Sequence, residues 1–559
     1  MRSACGLIPS ALLAIVAASC TGFDAPAIDP SDQSSAGDAG PTDAGATAFS
    51  FDMGTSPLRV GQGASTKIPI SIARRGSSPA DVQITLKNAP SGVTAGSLTI
   101  PSTESSGELT IAIENSVSQG PISVTIEGHA VNDGVLVSVD MQLFVAGLPG
   151  TLDTTFAQGG RFADMLGRML SPITALVSGD DRIYVLGSCY SSISLSPWST
   201  CVARLTPNGE LDVLSYGNSG VAALDTLSPN DAVLLSDGSM VVGGYANDTD
   251  PNDGIAHDKA AYVIIDATGR AGKRTILSTA AAFVGTTTNS VSQTSLAPDD
   301  SVVLFFTATD GGGNNMNGIA KITSAGDLDP KFGNGGFVNV NFADYHSGEA
   351  DAVPLPMMGA GVYTNGNIVI MGAGANAGGT NLTSSLDTYF GFLQFDNSGV
   401  RDTSFGTNGQ TAFKGPTVPD WGVRQGNPLT LRLESRILWV TNDSMLPAIW
   451  AFTADGTSLD STFGANGFLD PNSIGEPTQV HVVLDDQNRF LVTSTTASTT
   501  ASGHEGTLSR YTGDGVLDPS FGEFGQATTK ADSPVSAHVQ SDGRIVVVTQ
   551  EGTVLRYWN

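Results

Sequence analysis

The chain has 559 residues, of which 26 are Lys or Arg and 54 are Asp or Glu, giving a formal net charge of −28. That length accommodates several domains, and a polyanion of this kind is excluded from gripping nucleic-acid phosphates or an anionic lipid surface through bulk electrostatics. With 67 glycines and a charged fraction of 14%, the composition fits a turn-rich extracytoplasmic β protein.

The first element is MRSACGLIPSALLAIVAASC, with a single positive charge at Arg2 and an apolar run from Leu7 to Ala18. The run is too short to cross a bilayer and reads as a signal peptide over 1–19. Its end, Ala17-Ala18-Ser19-Cys20, resembles a bacterial lipobox, which implies that Cys20 is lipidated and becomes the first mature residue. Leucine is more usual where Ala17 stands, and Ala17-x-Ser19 also suits ordinary cleavage, so plain secretion is the alternative. Thr21, rather than Asp, after the cysteine points to the outer membrane or cell surface. The stretch that follows, to residue 46, holds five Asp, no Lys or Arg and mostly small residues. Such a composition cannot bury a core and reads as a disordered acidic tether with a reach of roughly 28 Å.

Residues 47–147 alternate apolar and polar side chains in strand-length runs: Ile68, Ile70, Ile72; Val82, Ile84, Leu86; Leu109, Ile111, Ile113; Ile122, Val124, Ile126; and Val135 through Val145. Turn clusters such as NAPSG and VNDG separate them. Seven or so half-buried strands in about 100 residues predict an immunoglobulin-like β-sandwich, and AGLPG (146–150) reads as a hinge.

Beyond the hinge one motif recurs: LDTTFAQGG at 152–160, LDVLSYGNSG at 211–220, LDPKFGNGG at 328–336, RDTSFGTNG at 401–409, LDSTFGANG at 459–467 and LDPSFGEFG at 517–525. The motif aspartates Asp153, Asp212, Asp329, Asp402, Asp460 and Asp518 lie 59, 117, 73, 58 and 58 residues apart. The double interval holds a worn copy, ATGRAGKR at 267–274, and the long one an insertion around NFADYHSGEADAVPLPMM (341–358). Within each unit an apolar hairpin turns on sequences such as DGSMVVGG (237–244), NGNIVIMG (365–372) and DGRIVVV (542–548), because Asp-Gly and Asn-Gly tolerate the positive φ of primed turns. In the motif itself, Asp can cap a turn through its side chain, Phe or Tyr can wedge between neighbouring sheets, and the glycines permit positive φ. About 58 residues hold four strands of roughly 5–6 residues with their loops, so the expected fold is all-β, a seven-bladed β-propeller over 148–559 preceded by the sandwich. The last strand, GTVLRYWN, has no motif after it, and the motif at 152–160 precedes the first unit. A ring closed by joining N-terminal and C-terminal pieces has that arrangement.

The pattern G-x-LD-x-x-FG-x-x-G followed by an apolar strand, D-G, an apolar strand and an A-R-L-like strand resembles the delta-60 repeat family of bacterial β-propellers. The likeness covers roughly 148–559 and is tightest in the last four copies. It implies a propeller and brings no established activity and no catalytic residues.

Four cysteines are present. Cys5 leaves with the signal and Cys20 is the lipidation candidate. Cys189 and Cys201 flank CYSSISLSPWSTC at the tip of a hairpin, and outside the cytoplasm they are expected to form a disulfide. Tyr190 and Trp198 in that loop, and Trp421 in GPTVPDWGVRQGNP (415–428), are the ligand-binding candidates, since loops on rigid scaffolds carry function and Trp anchors interfaces. In NDTDPNDGIAHD (247–258), Asp248, Asp250 and Asn252 alternate as in a calcium loop, but the glycine falls one place late and no Glu closes it. Structural calcium is the one cofactor candidate; otherwise none is expected. The sequence has no HExxH, no GxSxG and no complete Walker motif, and its six histidines lack metal-ligand spacing,. No catalytic residue is assigned. The first reading is a monomeric cell-envelope lipoprotein whose propeller binds a protein or glycan without catalysis. The alternatives are an extracytoplasmic enzyme acting on glycans or esters at the propeller mouth, and a purely structural envelope component.

Overall fold

A computed structural model describes residues 48–53, 58–75, 80–131, 134–163, 169–189, 199–224, 227–249, 256–277, 287–309, 315–342, 357–376, 386–418, 429–433, 436–441, 448–469, 477–496, 505–529 and 533–559. Every regular element among them is a β-strand, arranged in nine sheets. No helix among the described residues is long and apolar enough to cross a membrane. Cys20 and the segment through residue 46 lie outside the described residues.

Two sheets share one core in the N-terminal part. One runs Ala48–Asp52, Ser65–Arg75, Ser106–Ile113, Val93–Ala95, and the other Leu58–Gly61, Leu136–Ala146, Gly120–Ala130, Val82–Lys87, Leu98–Ile100. The period-two pattern decides which side chains go in. Ile68, Ile70, Ile111, Ile126 and Leu143 are buried together, while their sequence neighbours are more exposed,. Leu58–Gly61 pairs in parallel with Leu143–Ala146; the other strand pairs of the two sheets are antiparallel.

The remaining seven sheets each have four antiparallel strands, in sequence order in all but the last. Sheet 1 opens on Met169–Val177 and ends on Val221–Leu224. Sheet 2 runs from Ser228–Leu234 to Thr275–Ile276, sheet 3 from Thr287–Leu296 to Phe337–Val340, and sheet 4 from Met357–Val362 to Gln410–Val418. Sheet 5 runs from Leu429–Leu433 to Phe468–Leu469, and sheet 6 from Pro477–Leu484 to Gln526–Thr528. Sheet 7 takes Pro534–Val539, Ile545–Thr549 and Val554–Tyr557 from the end of the chain. Its outer strand is Arg161–Phe162, from before sheet 1, paired antiparallel with Leu555 and Val554. First strands touch from sheet 1 through sheet 5 and from sheet 6 through sheet 7 back to sheet 1, and the second strand of sheet 5 touches the first of sheet 6. The contacts therefore close into a ring.

In an up-and-down meander the connections alternate between two ends. Turns joining strands one and two, and strands three and four, share one end of every sheet. Connections between strands two and three, and crossings to the next sheet, share the other. The first end holds the Asp-Gly turns and the repeated motif, almost all described. The connections at the second end fall mostly outside the described residues.

Candidate functional site

The repeated motif builds the same small structure at successive stations. Asp153, Asp402, Asp460 and Asp518 each accept hydrogen bonds from the backbone N–H and hydroxyl of the Ser or Thr two residues on. Asp212 makes the same cap with Ser215, three residues on. The expected turn cap is therefore present. The second carboxylate oxygen reaches a cation that the motif does not contain. Arg204 meets Asp212 at 2.8 Å, Arg510 meets Asp518 at 2.9 Å, Arg556 meets Asp153 at 2.7 Å and Arg436 meets Asp460 at 3.1 Å. Each guanidinium also sits over the motif aromatic, Tyr216, Phe521, Phe156 and Phe463 respectively, at 4.4, 4.8, 4.6 and 5.5 Å from the ring centroid. These rings are buried between sheets. Burial pushes the Asp212 and Asp518 carboxyls up, but hydrogen bonds from Ser215 and Ser520 and the adjacent arginines outweigh it and hold both below the usual range,. The motif is thus structural: at these four stations an arginine plugs the sheet-to-sheet wedge, and the aspartate neutralises it.

The glycines are equally bound to geometry. Gly217, Gly333, Gly406, Gly464 and Gly522 all have φ between 48° and 56°, and a Cβ on any of them would run into the backbone carbonyl four residues on. Gly217 and Gly333 also donate their N–H to the next sheet, at Thr268 and Ser398.

Along the inner edge of the ring a second pattern repeats. The exposed edge of a first strand carries unpaired backbone groups, and a polar side chain from the preceding sheet caps them. Asp231 accepts from Thr294 N at 2.7 Å, Ser536 accepts from Ala175 N at 3.0 Å, and His481 Nδ1 accepts from Ala537 N at 3.3 Å. Gln293 donates to Ala360 O at 2.8 Å. All four cappers hold the same register, opposite the fourth residue of their own second strand. Burial raises Asp231 to about 6 and lowers His481 to about 4. Burial, helped by neighbouring His481, lowers His538 to about 3; the two imidazoles lie 5.7 Å apart. These groups read as acid–base chemistry only until their partners are named. Asp231 and His481 are bound to neighbouring strands as acceptors.

A cavity of about 480 Å³ opens at the turn end, where the first turns of sheets 6, 7 and 1 meet around Asp181, Asp486 and Ser541. Asp181 there accepts from Ser541 N and Oγ, both at 2.6 Å, so it staples sheet 1 to sheet 7.

Cys189 and Cys201 form the expected disulfide across sheet 1, with Cα atoms 5.9 Å apart. Tyr190, Trp198, Trp421, Asp250 and Asn252 lie outside the described residues. Asp248 lies on Met240–Thr249 with its backbone opposite His257, and its side chain is outside the described set. No group of three metal-ligating side chains occurs among the described residues. The arginines are what the motif alone did not reveal. Their signal was present, since Arg204 and Arg510 each stand eight residues before the aspartate they pair with, and Gln394 does the same for Asp402.

No family model matches the chain, and no curated protein matches it. Among solved structures it is similar to the α-L-arabinofuranosidase Arb93A from Fusarium graminearum in complex with an iminosugar inhibitor. The identity is 11% and the TM-score 0.35, over 65% of this chain and 96% of that one.

Proposed function

We propose that this is a bacterial cell-envelope lipoprotein, anchored through Cys20, in which an immunoglobulin-like sandwich carries a seven-bladed β-propeller of the delta-60 repeat type. The propeller acts as a non-catalytic scaffold that binds a protein or glycan partner. The observation that carries the reading is the division of labour between the ring's two ends. At the turn end the repeated Asp, Arg, Phe and Gly are consumed in holding sheets together, and the sandwich packs there, through Arg59 on the Asp542 carbonyl and Gln119 on Thr154. The opposite end receives the variable connections, including those that carry Tyr190, Trp198 and Trp421, and the disulfide of sheet 1 lies towards it. A rigid frame with sequence variation concentrated at one end is the arrangement of binding scaffolds.

The test is a thermal-shift screen of the protein against cell-envelope glycans, calcium and EDTA, because a ligand that binds only the folded state raises the melting temperature by mass action. A glycan shift that Trp198→Ala or Trp421→Ala abolishes is the expected result. Product analysis of the same mixtures separates binding from turnover. A shift unaffected by either substitution moves the site elsewhere. Palmitate labelling lost in Cys20→Ser checks the anchor.

A further inference from the structure

The ring closes on a short seam. Sheet 7 accepts its outer strand, Arg161–Phe162, through only two paired positions, plus an isolated bridge between Leu152 and Tyr557. The sandwich reaches across this seam. Trp558, the residue after the last strand, is 2% exposed, and its Nε1–H donates to Gln119 Oε1 at 2.9 Å. The same oxygen accepts from Thr154 N at 2.8 Å and Thr154 Oγ1 at 3.0 Å, so one sandwich carboxamide ties the two strand ends that must stay together. Arg59 of the sandwich lies over the indole at 5.1 Å, with Arg544 at 5.7 Å, and Phe144 meets it edge-on at 6.1 Å. The segment expected to be a hinge is held as well. Gly150 N donates to Trp558 O, Trp558 N donates to Thr151 O, and Gly522 N donates to Pro149 O. A side chain at Gly147 would collide with the indole. Gly147, Pro149, Gly150 and Thr151, each bonded to or packed against the ring, do not form a flexible linker.

We propose that the sandwich is the clasp of the ring seam: it holds Trp558 and Thr154 together, the ring and sandwich unfold as one unit, and loosening the clasp opens the seam between Val554–Tyr557 and residues 152–162. This inference is independent of what the ring binds. It predicts that Gln119→Ala or Arg59→Ala, both outside the ring, speeds hydrogen exchange in peptides covering 152–162 and 554–559. Peptides covering 302–322, across the ring, should stay unchanged. Lys67→Ala, which removes an exposed sandwich ion pair with Glu108, serves as control. Calorimetry of the full chain should show one transition that Gln119→Ala lowers by several degrees or splits in two. Trp558→Phe, which keeps an aromatic ring but removes the indole donor and part of the buried ring, gives the same exchange signature by a second route. Two transitions in the unmodified protein, or seam exchange unmoved by Gln119→Ala and Trp558→Phe alike, overturns the proposal.

Discussion

Asp153→Ala should be far more damaging than Asp402→Ala, although both remove the same motif residue. Asp153 is fully buried and receives Arg556, also fully buried, at 2.7 Å and Arg544 at 2.8 Å. Arg544 keeps a second carboxylate, Asp542, whereas Arg556 has no other acid in ion-pair contact among the described residues. Removing Asp153 strands one buried guanidinium, a change that costs about 3–5 kcal/mol. Asp402 is paired with a neutral group, Gln394, at 2.6 Å, and caps Ser404. Losing the bonds that neutral donors make to this partly exposed carboxylate leaves no buried charge unpaired and costs about 1 kcal/mol,. The two variants should therefore differ by about 2–4 kcal/mol in urea unfolding followed by tryptophan fluorescence. Adding Arg556→Met to Asp153→Ala should recover part of the loss, because an apolar pair of similar volume often replaces a buried ion pair at little cost. Equal losses for Asp153→Ala and Asp402→Ala, or no recovery in the double variant, would refute the view that the motif aspartate exists to neutralise a buried arginine.

Other outcomes follow from the same contacts. Gly522→Ala, at φ 56° and against the Gln526 carbonyl, should cost more than about 2 kcal/mol,. Gly179→Ala, with open space around its Cβ and no positive φ, should be near neutral; thermal denaturation reads both. Reducing Cys189–Cys201 should lower stability by about 2–3 kcal/mol in the chain-entropy account, measured by urea unfolding with and without reductant. Acid should destabilise the ring, with a sign that can be worked out. His481 and His538 titrate at about 4 and 3 when folded, below their ordinary value, so from pH 6.5 downward the unfolded chain binds more protons and stability falls,. Asp231, raised to about 6, works the other way between pH 6 and 3.8 and offsets one of the two. The net loss is about one proton's worth, roughly 1.4 kcal/mol per pH unit between pH 6 and 4. His481→Asn, which keeps an acceptor for Ala537 N, should flatten the profile of stability against pH in that window, and an unchanged slope would discard the assignment.

The parts of the fold set by local periodicity were open to reading in the chain. Alternation placed Ile68, Ile70, Ile111 and Leu143 in one core, and Asp-Gly or Asn-Gly turns marked the hairpins that open sheets 2, 4 and 7. The 58-residue interval gave the repeat its length, and the N-terminal motif does supply the missing strand of sheet 7. What periodicity could not carry was the identity of partners brought together from distant sequence. Arg556 meets Asp153 across 403 residues, and Trp558 meets Gln119 across 439. The inner-edge caps were hidden for a different reason. Asp231, Gln293, His481 and Ser536 share a position but not a residue type, because an edge N–H or C=O accepts any polar group of suitable reach.

That contrast separates the two repeated devices. The motif station needs a planar cation between an aromatic face and a carboxylate, so it permits few residues and leaves a visible repeat. Where the cation is lost, as with Gln394 in sheet 4, the aspartate stays as a turn cap and the station survives in weaker form. The inner-edge cap needs only one hydrogen bond, so its residues can drift between acid, amide, imidazole and hydroxyl. Such drift gives the inner edge a sequence-dependent electrostatic character without altering the frame. In this chain one such cap, His481, has a second imidazole, His538, beside it between sheets 6 and 7, and burial lowers the pKa of both. The pair sits on the first strands of sheets 6 and 7, whereas the chain ends meet and the sandwich takes hold at the outer strand of sheet 7, so acid sensitivity and mechanical closure lie at opposite edges of one sheet.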